Sequence, residues 1–365
     1  MRKIIHRIFL VINGGFALAL LISYLAVHIN PDSFALPAFF GLAYPYLLLI
    51  NIIIVIIWAV KLKYEAFISV AAIAMGITHF SNYIKLRRPG DDRENTFKVI
   101  SYNIHGFSYP DYTKRSDTKD RILAVLREQQ PGILCMQEIS VAGDFRLVDS
   151  EIKEKLGGKY YSHAKMISSG RSREFGIVTY SKYPIVRKGE ITHPSSSSLS
   201  IFSDISIGKD TFRIFNNHLQ SFRLRNMDSP FMEELIDPEY KKTISELKSL
   251  YSRLRAGFKR RAVQAQVVEH YIKSSPYPVI VAGDFNDTPV SYSYRKIRKG
   301  LKDSFVESGS GAGFTYRGNY PPNRIDYILY DRSLECPSFE ILRIKLSDHY
   351  PVIAWLRKPR EKGGS

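Results

Sequence analysis

Six short apolar runs in this 365-residue sequence each end on, or close to, an acid, an amide or an imidazole. Asn103 follows Val99-Ile-Ser-Tyr102, Glu138 follows Ile133-Leu-Cys-Met-Gln137, and Asn217-His218 come soon after Phe212-Arg-Ile-Phe215. Asp284-Phe-Asn286 follows Val279-Ile-Val-Ala-Gly283, Asp326 lies in Arg324-Ile-Asp-Tyr327, and Asp348-His349 lie in Leu346-Ser-Asp-His-Tyr-Pro351. Each alone has an ordinary explanation, because Asn and Asp close strands by making turns. Together they supply what hydrolysis of a phosphoester requires. Phosphate repels anionic nucleophiles, so a hard cation must sit on its non-bridging oxygens. Magnesium takes a few oxygen ligands and keeps its waters, and Glu138, with Asn103 and Asp348, can supply them. The attacking water needs a carboxylate or a His–Asp pair to align or deprotonate it. The leaving alkoxide needs a proton or a metal.

The elements that must bring these residues together are legible as alternating β-branched or aromatic runs and helical stretches. Strands are predicted at Phe97–Asn103, Gly132–Glu138, Gly176–Ser181, Ser200–Ile207, Thr211–His218, Pro278–Ala282, Arg324–Tyr330 and His349–Leu356. A helix is predicted over Lys119–Gln129, where Ile122, Val125 and Leu126 make one face and Pro131 follows its end. A longer one is predicted over Phe258–Lys273, with Ala262, Ala265, Val268 and Ile272 as its apolar stripe. Many strands with helices between them predict two packed sheets with helices outside, an α/β sandwich. Residues 219–257, rich in charge and without a strand pattern, are expected to form a helical insertion.

The first 84 residues differ in kind. Three apolar stretches, Ile8–Ile29, Ala38–Val60 and Tyr64–Ile84, each approach the roughly 20 residues needed to cross a bilayer. The first has a basic start like a signal peptide, but its apolar run is long, lacks a clear small-x-small cleavage site and is followed at once by a second, which favours a span. The third is the most diluted, by Ser69, Thr78, His79, Ser81 and Asn82. Arg2, Lys3 and Arg7 precede the first stretch, and Lys61 and Lys63 lie between the second and third. By the positive-inside rule these ends face the cytoplasm, and three crossings put the large domain outside, in the periplasm of a bacterium. Lys85, Arg87 and Arg88 argue the other way. The expected organisation is a three-helix transmembrane anchor (1–84), a linker rich in charge (85–95), a catalytic domain (96–358) and a tail (359–365).

Lys and Arg outnumber Asp and Glu by 52 to 35, and the first 90 positions hold only 8 of the basic and 2 of the acidic residues. The remainder is therefore basic and suited to polyanions, whether nucleic acid, anionic head groups or phosphorylated small molecules. The run Arg253, Arg255, Lys259, Arg260 and Arg261 reads as a solvated helix face, or as a grip on polyphosphate or an anionic membrane surface. Two cysteines, Cys135 and Cys336, make neither a disulfide framework nor a zinc pattern. His105 reads as a loop residue, and His163 and His193 as surface.

The strings SYNIHG, MQE, NNHL, AGDFND, RIDYIL and LSDHYPV resemble, in this order, the motifs of the endonuclease/exonuclease/phosphatase (DNase I-like) superfamily. The resemblance runs over about residues 97–357. It implies a four-layered αββα sandwich with the site at one end of the two sheets, and Mg²⁺ as cofactor with Mn²⁺ able to substitute. It further implies that Glu138 is the main metal ligand, with Asn103 beside it and Asp348 completing the shell. Asp284 would orient or deprotonate water, and Asn286 would hold a phosphate oxygen. Asp326 would orient His349, and His218 would be the second catalytic histidine, a general acid. Asn217, Glu174 and Arg317 complete the set as candidate substrate-binding residues, with Glu174 also a possible partner of His218. Apurinic-site repair enzymes resemble the chain elsewhere but typically lack the His218 equivalent, so that activity is not expected.

Three functions compete: an enzyme acting on lipid or lipid-linked phosphoesters at the bilayer, an extracytoplasmic nuclease, and a non-catalytic module on the same fold. Phosphoesters at the membrane are the favoured substrate, since a tether concentrates the domain there. No obligate protein partner is expected.

Overall fold

Two six-stranded sheets lie face to face in the computed structural model, which describes residues 2–87, 92–109, 115–168, 173–194, 198–222, 244–318 and 321–359. The strands in chain order are β1 Ile84–Lys85, β2 Phe97–Asn103, β3 Ile133–Ala142, β4 Tyr161–Ser168, β5 Arg173–Ser181, β6 Ile185–Ile191 and β7 Leu199–Ile207. They continue with β8 Asp210–His218, β9 Val279–Asp284, β10 Leu301–Asp303, β11 Gly311–Ala312, β12 Asp326–Asp331, β13 Glu335–Ile341 and β14 Val352–Arg357. One sheet runs β13-β14-β2-β3-β5-β4 and the other β10-β12-β9-β8-β7-β6. Near the middle of each lies one parallel pair, β2 with β3 and β8 with β9.

A parallel pair needs a long crossover, and in both sheets a helix lies within it. Arg115–Gln129 lies between β2 and β3, and Ile244–Lys273 between β8 and β9. The second helix begins well before the predicted Phe258, so part of the expected insertion is simply its first turns. Positions 223–243 of that insertion lie outside the described residues, as do 88–91 of the linker and 360–365 of the tail.

The pleat sorts the core into layers. Val99, Ile133, Cys135, Ile214, Ile280, Ala282, Ile328 and Ala354 pack between the sheets. Ile100, Tyr102, Leu134 and Met136 point outward onto Ile122, Leu123 and Leu126 of the first crossover helix. Phe215, Val279 and Val281 point the other way, onto Ala265, Val268 and Ile272 of the second. Strands buried on both faces read as continuous apolar runs, which is why these central strands were legible. The architecture is the predicted αββα sandwich. Edge strands β4, β6 and β13 carry no such run and were missed, as was the helix Phe145–Lys155.

The N-terminal unit corrects the expectation of three full spans. One helix, Arg2–Leu25, is long and apolar enough to cross a membrane. The second stretch is two helices, Leu36–Leu42 and Tyr44–Val60, bent by 67° and able to count together as one span. Pro45 sits in the first turn of the latter, where it cannot donate a hydrogen bond back to the preceding helix. The third is broken at Gly76 into Ala66–Met75 and Ile77–Phe80, too short to cross as a single helix. A side chain at Gly76 would collide with the Tyr24 ring.

This unit has its polarity reversed. Leu18, Leu49, Ile52, Ile53, Ile56, Val60, Phe67 and Met75 are exposed, while Asn13, Asn51 and Ser69 are fully buried. Ser69 Oγ lies 2.6 Å from Asn13 Oδ1 and 2.8 Å from Asn51 Oδ1, Asn13 Nδ2 donates to the Glu65 carbonyl, and Asn51 Nδ2 donates to that of Phe16. His6 Nε2 lies 2.9 Å from Glu65 Oε1, so the N-terminal end and the 61–65 turn share one end of the unit. The other end docks on the sandwich. Arg298 Nη1 donates to Asn82 Oδ1 and Arg324 Nη1 to the Asn82 carbonyl.

Candidate active site

Strands β2, β8 and β9 end, and β12 begins, at the same end of the sandwich, with β3 passing through it at Glu138. Across three neighbours of the second sheet the register pairs His218 with Asp284 and Asp284 with Asp326. Three chemical groups therefore stand in one row. Gly283 has φ +138°, and a side chain there would run into the backbone of Asn217 on the adjacent strand, so only glycine lets β8 and β9 close up beside Asp284. The first sheet contributes Asn103 at the end of β2 and Glu138 in β3. Glu138 sits at a register shift between β3 and β5 with φ +54°, a strained backbone that a bulge uses to re-aim a side chain. The loop entering β14 supplies Asp348 and His349.

Asp284 is the hub and is 1% exposed. Its Oδ1 accepts from the Asn286 backbone N–H at 2.7 Å, and its Oδ2 accepts from Asn103 Nδ2 at 3.0 Å and Asn286 Nδ2 at 3.1 Å. Burial pushes its carboxyl up to about 6, against the pull of His349. His349 Nδ1 lies 2.9 Å from Asp326 Oδ2, and His349 Nε2 lies 3.7 Å from Asp284 Oδ2. Burial alone would lower the His349 imidazole, but these two carboxylates outweigh it and hold it well above its ordinary value. The ring of Tyr316 stands edge-on to it at 5.2 Å. His218 Nε2 lies 3.4 Å from Glu138 Oε1 and 3.9 Å from Asp284 Oδ2. Burial lowers it too, but the Glu138 and Asp284 carboxylates win and raise it. The Asp348 carboxyl, which burial would raise, is held below the usual carboxylate range by the His105 hydrogen bond and by His349.

Eight of the eleven residues singled out in the sequence converge here: Asn103, Glu138, His218, Asp284, Asn286, Asp326, Asp348 and His349. Three do not. Asn217 is fully buried and donates to the Ala282 carbonyl. Its neighbour Asn216 reaches across to the first sheet, so strand alternation turns Asn217 to the opposite face. Glu174 is displaced for the same reason. Phe175 is the β5 side chain beside His218, with ring centroids 6.1 Å apart, and the acid next to that histidine is Glu138. Arg317 braces the turn before His349, its backbone N–H donating to the Asp348 carbonyl and its Nη1 to that of Ser347. Asn286 is present with a different job. Both its amide hydrogens are engaged, with Asp284 and the Leu219 carbonyl, so it steadies Asp284 rather than offering a free donor to phosphate.

Other residues were undervalued. His105 is no idle loop residue, since its Nδ1 lies 2.8 Å from Asp348 Oδ1. Gln137 Nε2 donates to Asn216 Oδ1 at 2.7 Å and so pins the two sheets directly behind the site. Both lie inside the quoted motifs, which was the available signal. His163 and His193 are buried, not on the surface, and contact Ser203 and Ser200 of β7. Of the basic run, Arg253, Arg255 and Arg260 are exposed, but Arg261 is fully buried against Asp287 at 3.1 Å.

The donor set suits a hard divalent cation. Glu138 and Asp348 face one cavity of about 730 Å³, and among the described residues lining it there is no Lys or Arg to neutralise them. The Asn103 side-chain oxygen, which accepts from the His105 N–H, retains a lone pair beside them. A second acidic grouping, Asp284, Asp326 and His349, brings its ligand atoms within 4.8 Å of one another. There, however, Nδ1 of the histidine is already committed to Asp326, which makes an oriented dyad the better reading.

The family description "Endonuclease/Exonuclease/phosphatase family" matches residues 100–349. The chain belongs to this family. A second description, a domain of unknown function (DUF8431), matches residues 6–83, the helical unit. No curated protein matches the sequence. Among solved structures, an endonuclease/exonuclease/phosphatase from Bacteroides vulgatus is similar at 18% identity and a TM-score of 0.54, covering 73% of this chain and 100% of that one. The mannosyl-6-phosphatase of Bacteroides thetaiotaomicron is similar at 18% identity and 0.51, covering 72% and 99%. The catalytic domain of human Nocturnin, with bound sulfate, is similar at 17% and 0.51, covering 73% and 95%. At these identities the likeness is one of fold; the reaction class, phosphoester hydrolysis, comes from the family match.

Proposed function

We propose that the protein is a membrane-tethered, Mg²⁺-dependent phosphoesterase that attacks lipid or lipid-linked phosphoesters with water. The observation that carries the hydrolase reading is the convergence of Asp284, Asp326, His349, Glu138 and His218 at one end of the two sheets, with Glu138, His218 and His349 lining one cavity and the two aspartates buried behind His349. Glu138, Asp348 and Asn103 would hold the cation, which when bound supplies Lewis acidity toward a non-bridging phosphoryl oxygen. Asp284, buried and steadied by Asn103 and Asn286, orients the attacking water and accepts its proton. A proton affinity raised toward neutrality suits that task. His349, kept cationic by Asp326 and Asp284, meets the negative charge of the phosphoryl group. His218, whose proton affinity the neighbouring Glu138 and Asp284 carboxylates raise, gives its proton to the departing oxygen.

The reversed polarity of the helical unit supports the tether, because apolar surface outside and hydrogen-bonded amides inside is the arrangement a bilayer demands. The shared end of residues 2–7 and 61–65 supports an orientation with that end in the cytoplasm and the catalytic domain outside. A nuclease is the weaker reading, since a backbone-tracking groove needs Lys and Arg, and none lines the cavity among the described residues.

The test is a panel of phospholipid, sphingolipid, inositol-lipid and plasmid substrates on the full-length protein, with Mg²⁺, Mn²⁺ or chelator. Chelator-sensitive turnover of a lipid phosphoester is the expected result. Silence on every lipid with robust plasmid nicking overturns the substrate, and silence throughout overturns the hydrolase.

A further inference from the structure

The active-site cavity is not built by the catalytic domain alone. It is lined by the polar Glu138, His218, Asp348 and His349 and also by Phe39, Leu42, Ala43 and Tyr46 of the N-terminal unit, which form an apolar wall. Leu254 and Phe222 add to the apolar lining. The four wall residues straddle the 67° bend between Leu36–Leu42 and Tyr44–Val60. Beyond that bend the second helix runs on through Leu49, Ile52, Ile53, Ile56 and Val60, all exposed.

The wall is fixed in place from several sides. The Phe39 ring stacks on Tyr251 at 5.0 Å and stands edge-on to Phe258 at 5.1 Å. Tyr46 Oη donates to the Pro322 carbonyl at 3.2 Å, and Thr288 Oγ1 to that of Gly41 at 3.4 Å. A side chain at Gly41 would strike the Val290 carbonyl, so the short helix lies with its backbone directly on the loop after Asn286.

We propose that this bend is the specificity wall of the enzyme, receiving the hydrocarbon chain of a phosphoester lipid delivered from the bilayer. The inference rests on the phosphoesterase reading and names the substrate's second half. A charged phosphoryl group belongs at the acidic, metal-binding end. A cavity that then continues into aromatic and aliphatic side chains rewards a substituent with apolar area to bury. Those side chains lie where the apolar exposed helix meets the sandwich, so a chain leaving the cavity there passes into lipid, not water. On this reading the helical unit is part of the active site as well as its tether.

The experiment uses full-length protein in amphipol and a matched pair of diesters, ethyl and dodecyl p-nitrophenyl phosphate. Wild type should prefer the dodecyl ester in kcat/KM by at least about tenfold, as burial of several methylenes demands. Leu42→Asn, which makes the wall polar, and Ala43→Trp, which fills the space, should each cut that preference by about tenfold, with thermal midpoints confirming the fold. Equal turnover of both esters, or a preference untouched by both substitutions, overturns the proposal. If neither ester is hydrolysed, the enzyme is no diesterase and the wall is judged by calorimetry with ethyl- and dodecylphosphonate. Tighter dodecyl binding lost in both variants then upholds it, and no difference overturns it.

Discussion

The Asp326 carboxylate accepts from His349 Nδ1 at 2.9 Å, across a loop and strand boundary that places the two residues 23 positions apart in sequence. Because the other imidazole nitrogen points at Asp284, the hydrogen bond fixes both the orientation of the ring and which nitrogen faces the substrate. Replacing Asp326 by Asn removes the charge and offers an amide that can present its donor instead. The expected outcome is a kcat lower by about 10²–10⁴ with little change in KM. Steady-state kinetics alongside a thermal melt would check this, and an Asp326→Asn variant with wild-type kcat would refute the dyad.

Asn286 occupies the left-handed region at φ +52° and steadies Asp284 with both its backbone and its side chain. Asn286→Gly should keep the backbone and lose the brace, lowering kcat by about 10². Asn286→Ala should do the same and also lower stability by about 1 kcal/mol, since Ala tolerates that φ poorly. Comparing the two melting curves separates the strain from the catalytic loss.

Metal binding can be read without any substrate. If Glu138 and Asp348 hold the cation, Mg²⁺ should raise the melting temperature of wild type, by about 2–3 kcal/mol of stability at 100 times Kd. Glu138→Gln should abolish that increment. An unchanged Mg²⁺-dependent rise in Glu138→Gln would move the site elsewhere.

Acid sensitivity should come partly from two histidines outside the catalytic set. Burial lowers the His163 and His193 imidazoles to about 4, below the roughly 6.5 of an unfolded chain. The unfolded state then binds more protons between these values, so their contribution to stability is intact above about pH 6.5 and falls away as pH drops toward 4. The loss is on the order of 2 kcal/mol for each, allowing for partial solvent screening. A His163→Asn, His193→Asn double variant should have a flatter profile of melting temperature against pH across that window, and an equally steep one would contradict the assignment.

Sequence reading reached the sheets' centres and the site's principal groups because both leave local marks. Val279–Asp284 is apolar until its last two residues and then turns chemical, so Asp284 announces itself. What alternation decides was harder to see. Asn216 and Asn217 are adjacent amides, and only knowledge of which face of β8 meets the other sheet says that the first pins Gln137 and the second is turned away. Glu174 failed on the same point, one residue from the Phe175 that does flank His218. His105 was missed because its partner, Asp348, is brought to it by tertiary packing alone. The third apolar stretch looked like a span by composition, yet Gly76 and the polar residues after it break the helix so that Tyr24 can pack close.

The working centre is divided between distant parts of the chain. Asn103 and Glu138 belong to the first sheet, His218, Asp284 and Asp326 to the second, and His349 arrives on the loop into β14, the last strand, which must pair with β2. The catalytic set is consequently incomplete until the residues through β14 have been made and that strand has paired with β2. Assembly of the catalytic set is thereby coupled to closure of the first sheet by its partner strand.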